Sequence, residues 1–143
     1  MRIAFDIGGV LSKYPDVFRP LLSVLHETEV KVWVISDMHP VEKVIDWLDR
    51  NRMTCYRDRV RSADYQTHGE NCKAILCEEL GIDILIDDHM GYLAQIGSPR
   101  VRLLVMPDPS LPYYADSWKT DGSEGDFGRR RNPPGSKRPP EDR

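Results

Sequence analysis

The chain has 143 residues, 40% of them apolar, with 20 basic against 23 acidic side chains and a formal charge of −3. That is enough apolar material for one domain's core, and the near balance of charge excludes a broadly polyanion-binding surface. No run reaches the ~18 apolar residues of a membrane span, and Met1-Arg2 leads directly into a strand pattern without a signal-peptide core, so the expectation is a cytoplasmic protein with no membrane partner.

In chain order, residues 3–5 form a first buried strand, and Val17, Leu21, Leu22 and Leu25 follow Pro15-Asp16 at helical spacing. Residues 30–35 (VKVWVI) give a second strand; Val41, Val44, Ile45 and Leu48 a second helix after Pro40; and residues 59–65 a weaker strand. Ala74, Ile75, Cys77 and Leu80 share a helix face that stops at Gly81. Residues 82–86 (IDILI) form a fourth strand, 91–96 a short helix and 101–105 (VRLLV) a fifth strand. Short apolar strands alternating with helices predict an α/β fold, a doubly wound parallel sheet whose ligands bind at the carboxyl ends of the strands.

The composition then changes. Residues 107–143 hold seven of the eleven prolines and four of the ten glycines, so the expectation is a folded core over 1–107 and a flexible Pro/Gly/Arg-rich tail over 108–143. The last sixteen residues sum to +4, the one feature that suggests a nucleic-acid partner; a solvated arm is the simpler reading. Cys55, Cys72 and Cys77 lack metal-site spacing and read as reduced thiols.

The polar residues carry the functional signal. Asp6 closes the first strand, Ser36-Asp37 the second and Asp87-Asp88 the fourth, while Lys73 opens the helix before that fourth strand. Singly, each has an ordinary explanation as a helix cap, a turn residue or a solvated charge. Together they belong to one edge of the sheet, and the adjacent acids Asp87 and Asp88 repel each other unless a cation lies between or beside them. Carboxylates, a hydroxyl and an ammonium suit phosphoryl transfer: an acid attacks phosphorus, a hard divalent cation is held by oxygen ligands, and Ser36 and Lys73 hold the other phosphate oxygens. Backbone N–H groups of residues 7–10 and after Ser36 complete an anion cradle, which Gly8 and Gly9 leave open to close approach. A two-component receiver domain has a similar set, but its acidic pair comes early and its lysine late, the reverse of the order here.

On these residues the chain resembles the haloacid dehalogenase (HAD) superfamily: FDIGGVL resembles the first motif, VWVISD the second, Lys73 the third and ILIDDH the fourth, over residues 1 to about 105. The resemblance implies a Rossmann-like sheet in the order 5-4-1-2-3, Asp6 and Lys73 as catalytic residues with Asp6 the nucleophile, and Mg²⁺ held by Asp6, the main-chain carbonyl of Gly8 and the Asp87/Asp88 pair. Within that pair Asp88 is favoured as the direct ligand and Asp87 as a neighbour turned toward Lys73. Phosphate falls to Gly8, Gly9, Ser36, Asp37 and Lys73.

Phosphatases of the superfamily usually carry a second aspartate at the place of Gly8, which protonates the leaving oxygen. Losing such a group typically removes ~10²–10⁴ in rate. Three expectations follow: turnover only of esters with good leaving groups, a substitute acid with His39 and Asp37 nearest in sequence, or a catalytically weak module that binds phosphate or a partner. The gaps from Asp6 to Ser36 and from Ser36 to Lys73 are too short for a cap domain, so the expected site is open and suits a phosphorylated substrate that brings its own bulk, including a macromolecule.

Overall fold

A computed structural model describes residues 1–95 and 101–104. The tail expected over 108–143, with residues 96 and 105 at the ends of two expected elements, lies outside the described residues. Five strands, β1 (Arg2–Phe5), β2 (Lys31–Ser36), β3 (Val60–Ser62), β4 (Ile84–Asp87) and β5 (Val101–Leu104), form one sheet. All its pairings are parallel, in the order β3-β2-β1-β4-β5, which is the expected order read from the other edge. The helices are α1 (Pro15–His26), α2 (Val41–Arg50), α3 (Tyr65–His68), α4 (Cys72–Leu80) and α5 (Met90–Leu93).

Because side chains alternate along a strand, β1 and β2 feed two cores. Ile3, Phe5, Val32 and Val34 pack with Leu22 of α1 and with Val44 and Leu48 of α2. Ala4, Ile35 and Leu85 face Cys72 and Cys77 of α4 and Tyr92 and Leu93 of α5. Chain order reverses across β1, whose neighbours are β2 and β4, so the loops leaving β1 and β4 open a crevice at the carboxyl edge. The Asp6-to-Ser36 segment holds a tight loop and α1, and the Ser36-to-Lys73 segment holds α2, β3 and α3 with short single turns.

Three elements differ from expectation, each for a local reason. The fourth strand begins at Ile84 rather than residue 82, because Ile82 belongs to the end of α4. Gly81 adopts φ +60°, its N–H donates to the Glu78 carbonyl at 3.2 Å, and the Ile82 N–H donates to the Cys77 carbonyl at 2.8 Å. This double closure places the apolar Ile82 against Cys77 as a helix-end contact. The third strand is three residues long because Asp64 starts a helix, its carboxylate accepting from the Thr67 N–H at 3.0 Å. The short helix near residue 91 runs over Met90–Leu93, started by the His89 ring, whose Nδ1 accepts from the Tyr92 N–H at 3.3 Å. Cys55, Cys72 and Cys77 are free thiols, and burial pushes the Cys55 and Cys77 thiols up to about 12, away from the reactive thiolate.

Leu85 is central to the core beneath the site, at 1% exposure. Leu85→Ala is expected to cost about 2–5 kcal/mol of unfolding free energy, read as a lower denaturant midpoint with an unchanged slope.

Candidate functional site

The site is built from strand ends. Asp6, one residue beyond β1, is buried, with its N–H in the ladder to the Ile86 carbonyl at 2.9 Å. The chain then turns through Ile7–Leu11. Gly8 has ordinary extended angles, and a side chain there would meet nothing nearer than Asp6 Oδ2 at 3.8 Å. Gly9 is different: its φ is +71°, and a Cβ there would lie 1.9 Å from Asp88 Oδ2. Only glycine lets this turn press against the Asp88 carboxylate.

Lys73, the second residue of α4, is fully buried at 0% exposure. Its Nζ lies 2.5 Å from Asp87 Oδ2 and 2.9 Å from Asp6 Oδ1, and 4.5 Å from the centre of the Tyr92 ring. The hydrogen bond goes to Asp87; Asp6 Oδ1 is close enough for charge neutralisation but accepts no aligned hydrogen bond within the protein. The other oxygen of Asp87 accepts from the His89 N–H at 2.8 Å. Asp87 is thereby turned into the protein on both sides, while Asp88 is turned to Gly9.

One ammonium thus serves several acids. Burial raises the Asp6 pKa most, Lys73 opposes this, and the charges of Asp87, Asp37 and Asp88 raise it further, to about 8. Burial alone would lower the Lys73 pKa, yet Asp6, Asp87 and Asp37 together hold it above the usual lysine value, so the ammonium keeps its proton. The carboxylate charges that raise the Asp6 pKa are of the kind a dication would neutralise. Oxygen atoms of Asp6, Asp87 and Asp88 lie within 4.8 Å of one another, near the span of about 4.2 Å, twice a Mg–O bond, across a magnesium ion. An all-carboxylate donor set with an orphaned buried oxygen fits a hard cation such as Mg²⁺.

The second strand supplies the opposite wall. Ser36 is buried at the end of β2, and its Oγ accepts from the Met38 N–H at 3.1 Å. Asp37 is half-buried, and its Oδ2 accepts from the Tyr92 hydroxyl at 3.0 Å. It is no helix cap, since α2 starts at Val41 with Pro40 at its N-cap and no side-chain cap. His39 is exposed and turns toward β3, its Nδ1 3.5 Å from Ser62 Oγ. The anticipated cradle of N–H groups is partly used internally: the Gly9 N–H donates to Ser12 Oγ at 3.2 Å, as the Met38 N–H does to Ser36.

Asp6, Lys73, Asp87 and Asp88 therefore meet, with Asp37 near enough for its charge to act on both Asp6 and Lys73. Sequence reasoning missed His89 and Tyr92. His89 orients Asp87 and caps α5; Tyr92 lies under the ammonium and holds Asp37. The sequence does carry a signal for the first, a histidine three residues before the amide that it caps. The second joins residues 55 positions apart and leaves no local trace.

No family model matches the chain, and no curated protein or solved structure matches it. Among the described residues no helix is long and apolar enough to cross a membrane.

In metal-free protein, the raised Asp6 pKa makes the folded state hold a proton that the unfolded chain releases near its ordinary value of 3.8. That contribution to stability is complete below 3.8 and is lost as pH rises through about 8. Unfolding free energy in EDTA is expected to fall between pH 6 and 8, by up to ~1.4 kcal/mol per unit from this group, and Asp6→Asn is expected to flatten the slope. On the expectation that these acids hold Mg²⁺, Gly9→Ala, which pushes Asp88 aside, is expected to weaken that binding by about tenfold or more, measured by calorimetric titration.

Proposed function

We propose that the chain is a small Mg²⁺-dependent phosphatase-like hydrolase of the HAD kind, acting on a phosphomonoester through an aspartyl-phosphate intermediate. The observation that carries this reading is the meeting of Asp6 with Lys73 at 2.9 Å inside a cluster of three carboxylates. These side chains come from positions 6, 73, 87 and 88, and a fold alone has no need to bury so much charge at one strand edge.

In this reading the bound Mg²⁺ supplies charge neutralisation for phosphate and for the acids that hold it. Asp6, Asp88 and the Gly8 carbonyl are the groups that would hold the ion, and Asp87 keeps Lys73 and the His89 backbone in place. Ser36 and Lys73 grip two phosphate oxygens. Asp6 then attacks phosphorus with one carboxylate oxygen: a P–O bond forms to Asp6, and the bond to the leaving oxygen breaks with its electron pair. Water later attacks the same phosphorus and returns Asp6 as carboxylate. Lys73, already fixed by two acids, needs little reorganisation as charge moves onto the phosphoryl oxygens.

The core carries no cap in this reading. The segments that could house one contain α1 in the first case and α2, β3 and α3 in the second, all used in building the sheet layers. An open site favours a substrate that covers it, such as a phosphorylated protein, a glycan or a nucleic-acid end.

Gly8 favours a second reading, a module that binds phosphate or a partner and turns over slowly, because the loop at that position offers no acid. A panel of phosphomonoesters distinguishes the two. Hydrolysis is expected with Mg²⁺, is expected to vanish in EDTA, and is expected to fall by at least ~10³ in Asp6→Asn with folding intact. Phosphate binding without Asp6-dependent hydrolysis would support the second reading instead.

A further inference from the structure

The proposed hydrolysis leaves one proton without a source. When the P–O bond to the leaving group breaks, an alkoxide must be protonated, and the turn after Asp6 carries no acid at Gly8. Glycine is not demanded there by the backbone, since φ is −63° and the space for a Cβ is open. The proton must therefore come from another wall of the crevice.

Four carboxylates belong to the cluster, and three have roles of other kinds. Asp6 is the attacking group. Asp87 is held by Lys73 at one oxygen and by the His89 N–H at the other. Asp88 is pressed against the Gly9 backbone, on the metal side. Asp37 follows Ser36 on the opposite wall and is half-buried, where the other three are buried. Its Oδ2 accepts from the Tyr92 hydroxyl at 3.0 Å. Tyr92 itself is 2% exposed, with its ring 4.5 Å from Lys73 Nζ and 4.5 Å from the His89 ring. One rigid phenol thus spans from the ammonium to Asp37.

Resting on the hydrolase reading, we infer that Asp37 is the group that donates a proton to the leaving oxygen, and that Tyr92 is the positioning residue that aims it. The step balances. As the leaving oxygen takes the electron pair of the breaking P–O bond, the Asp37 carboxyl gives it a proton and becomes carboxylate. In the second half Asp37 takes a proton from the water whose oxygen attacks phosphorus, and the P–O bond to Asp6 breaks with its pair returning to Asp6. His39, the other candidate from the sequence, is on the rim and turned to Ser62.

The test uses the full chain with Mg²⁺ and three esters: 4-nitrophenyl phosphate, whose leaving group needs little protonation, phenyl phosphate and an alkyl phosphate. Asp37→Asn is expected to lower kcat/KM for the phenyl and alkyl esters by about 10²–10⁴ but for the nitrophenyl ester by less than about tenfold. Tyr92→Phe is expected to shift the series in the same order by less, through kcat more than KM, and His39→Ala is expected to leave the ratio between esters unchanged. A merely structural role for either residue would lower all three rates alike. That uniform loss, or unchanged rates in Asp37→Asn while Asp6→Asn abolishes turnover, overturns the inference and leaves the hydrolase reading standing. Absence of Asp6-dependent turnover in the wild-type chain overturns both. Should Asp37→Asn fail to fold by circular dichroism, the Tyr92→Phe series alone decides: a loss that grows with leaving-group basicity supports the inference, and a flat one overturns it.

Discussion

A fully buried ammonium is stable only with anions against it, and Lys73 has Asp87 at 2.5 Å and Asp6 at 2.9 Å. Neither acid is tolerable there without the lysine, nor the lysine without them, so the end of β1, the end of β4 and the first turn of α4 are tied to one point. That tie runs across the place where chain order reverses, and it converts a crevice common to parallel sheets into a charged pocket. Around it the rest follows: His89 orients Asp87, Tyr92 lies beneath the ammonium, and Gly9 lets the first loop close on Asp88.

Lys73 faces Asp6 and Asp87, yet the burial of Asp6, together with the charges of Asp87, Asp37 and Asp88, outweighs it, and the Asp6 carboxyl is raised to about 8. Carboxylate oxygens gathered within 4.8 Å are the electrostatic condition for a hard dication, and in the proposed reaction the same neutralisation would free Asp6 to act as a nucleophile at neutral pH.

The two walls of the pocket have different physical characters. The wall from β1, α4 and β4 is buried, ionic and rigid, suited to holding charge in place. The wall from β2 is more open, with Ser36 at its base and Asp37 half-buried beside a phenol hydroxyl. In the proposed hydrolysis, holding a phosphoryl group and moving a proton to its departing oxygen ask for these two environments. The short segments that build the β2 side, with no inserted domain among the described residues, leave that wall accessible.

The sequence by itself determined the alternation of strands and helices, because apolar periodicity reflects burial on two faces, and it marked Asp6, Ser36, Lys73 and Asp87-Asp88 because carboxylates and a lysine that end or precede apolar strands must lie at one edge of a parallel sheet. It misplaced the start of the fourth strand because Ile82 is apolar for another reason, closing the end of α4, and it extended the third strand over Asp64, whose carboxylate starts a helix. The resemblance favoured Asp87 as the neighbour of Lys73, but the reason for the pairing is tertiary: adjacent residues of a strand end point to opposite sides, and the ammonium is on the side of Asp87. Only the tertiary structure joined Tyr92 to Asp37, a contact between two elements brought together by the sheet order, for which no local pattern of residues exists.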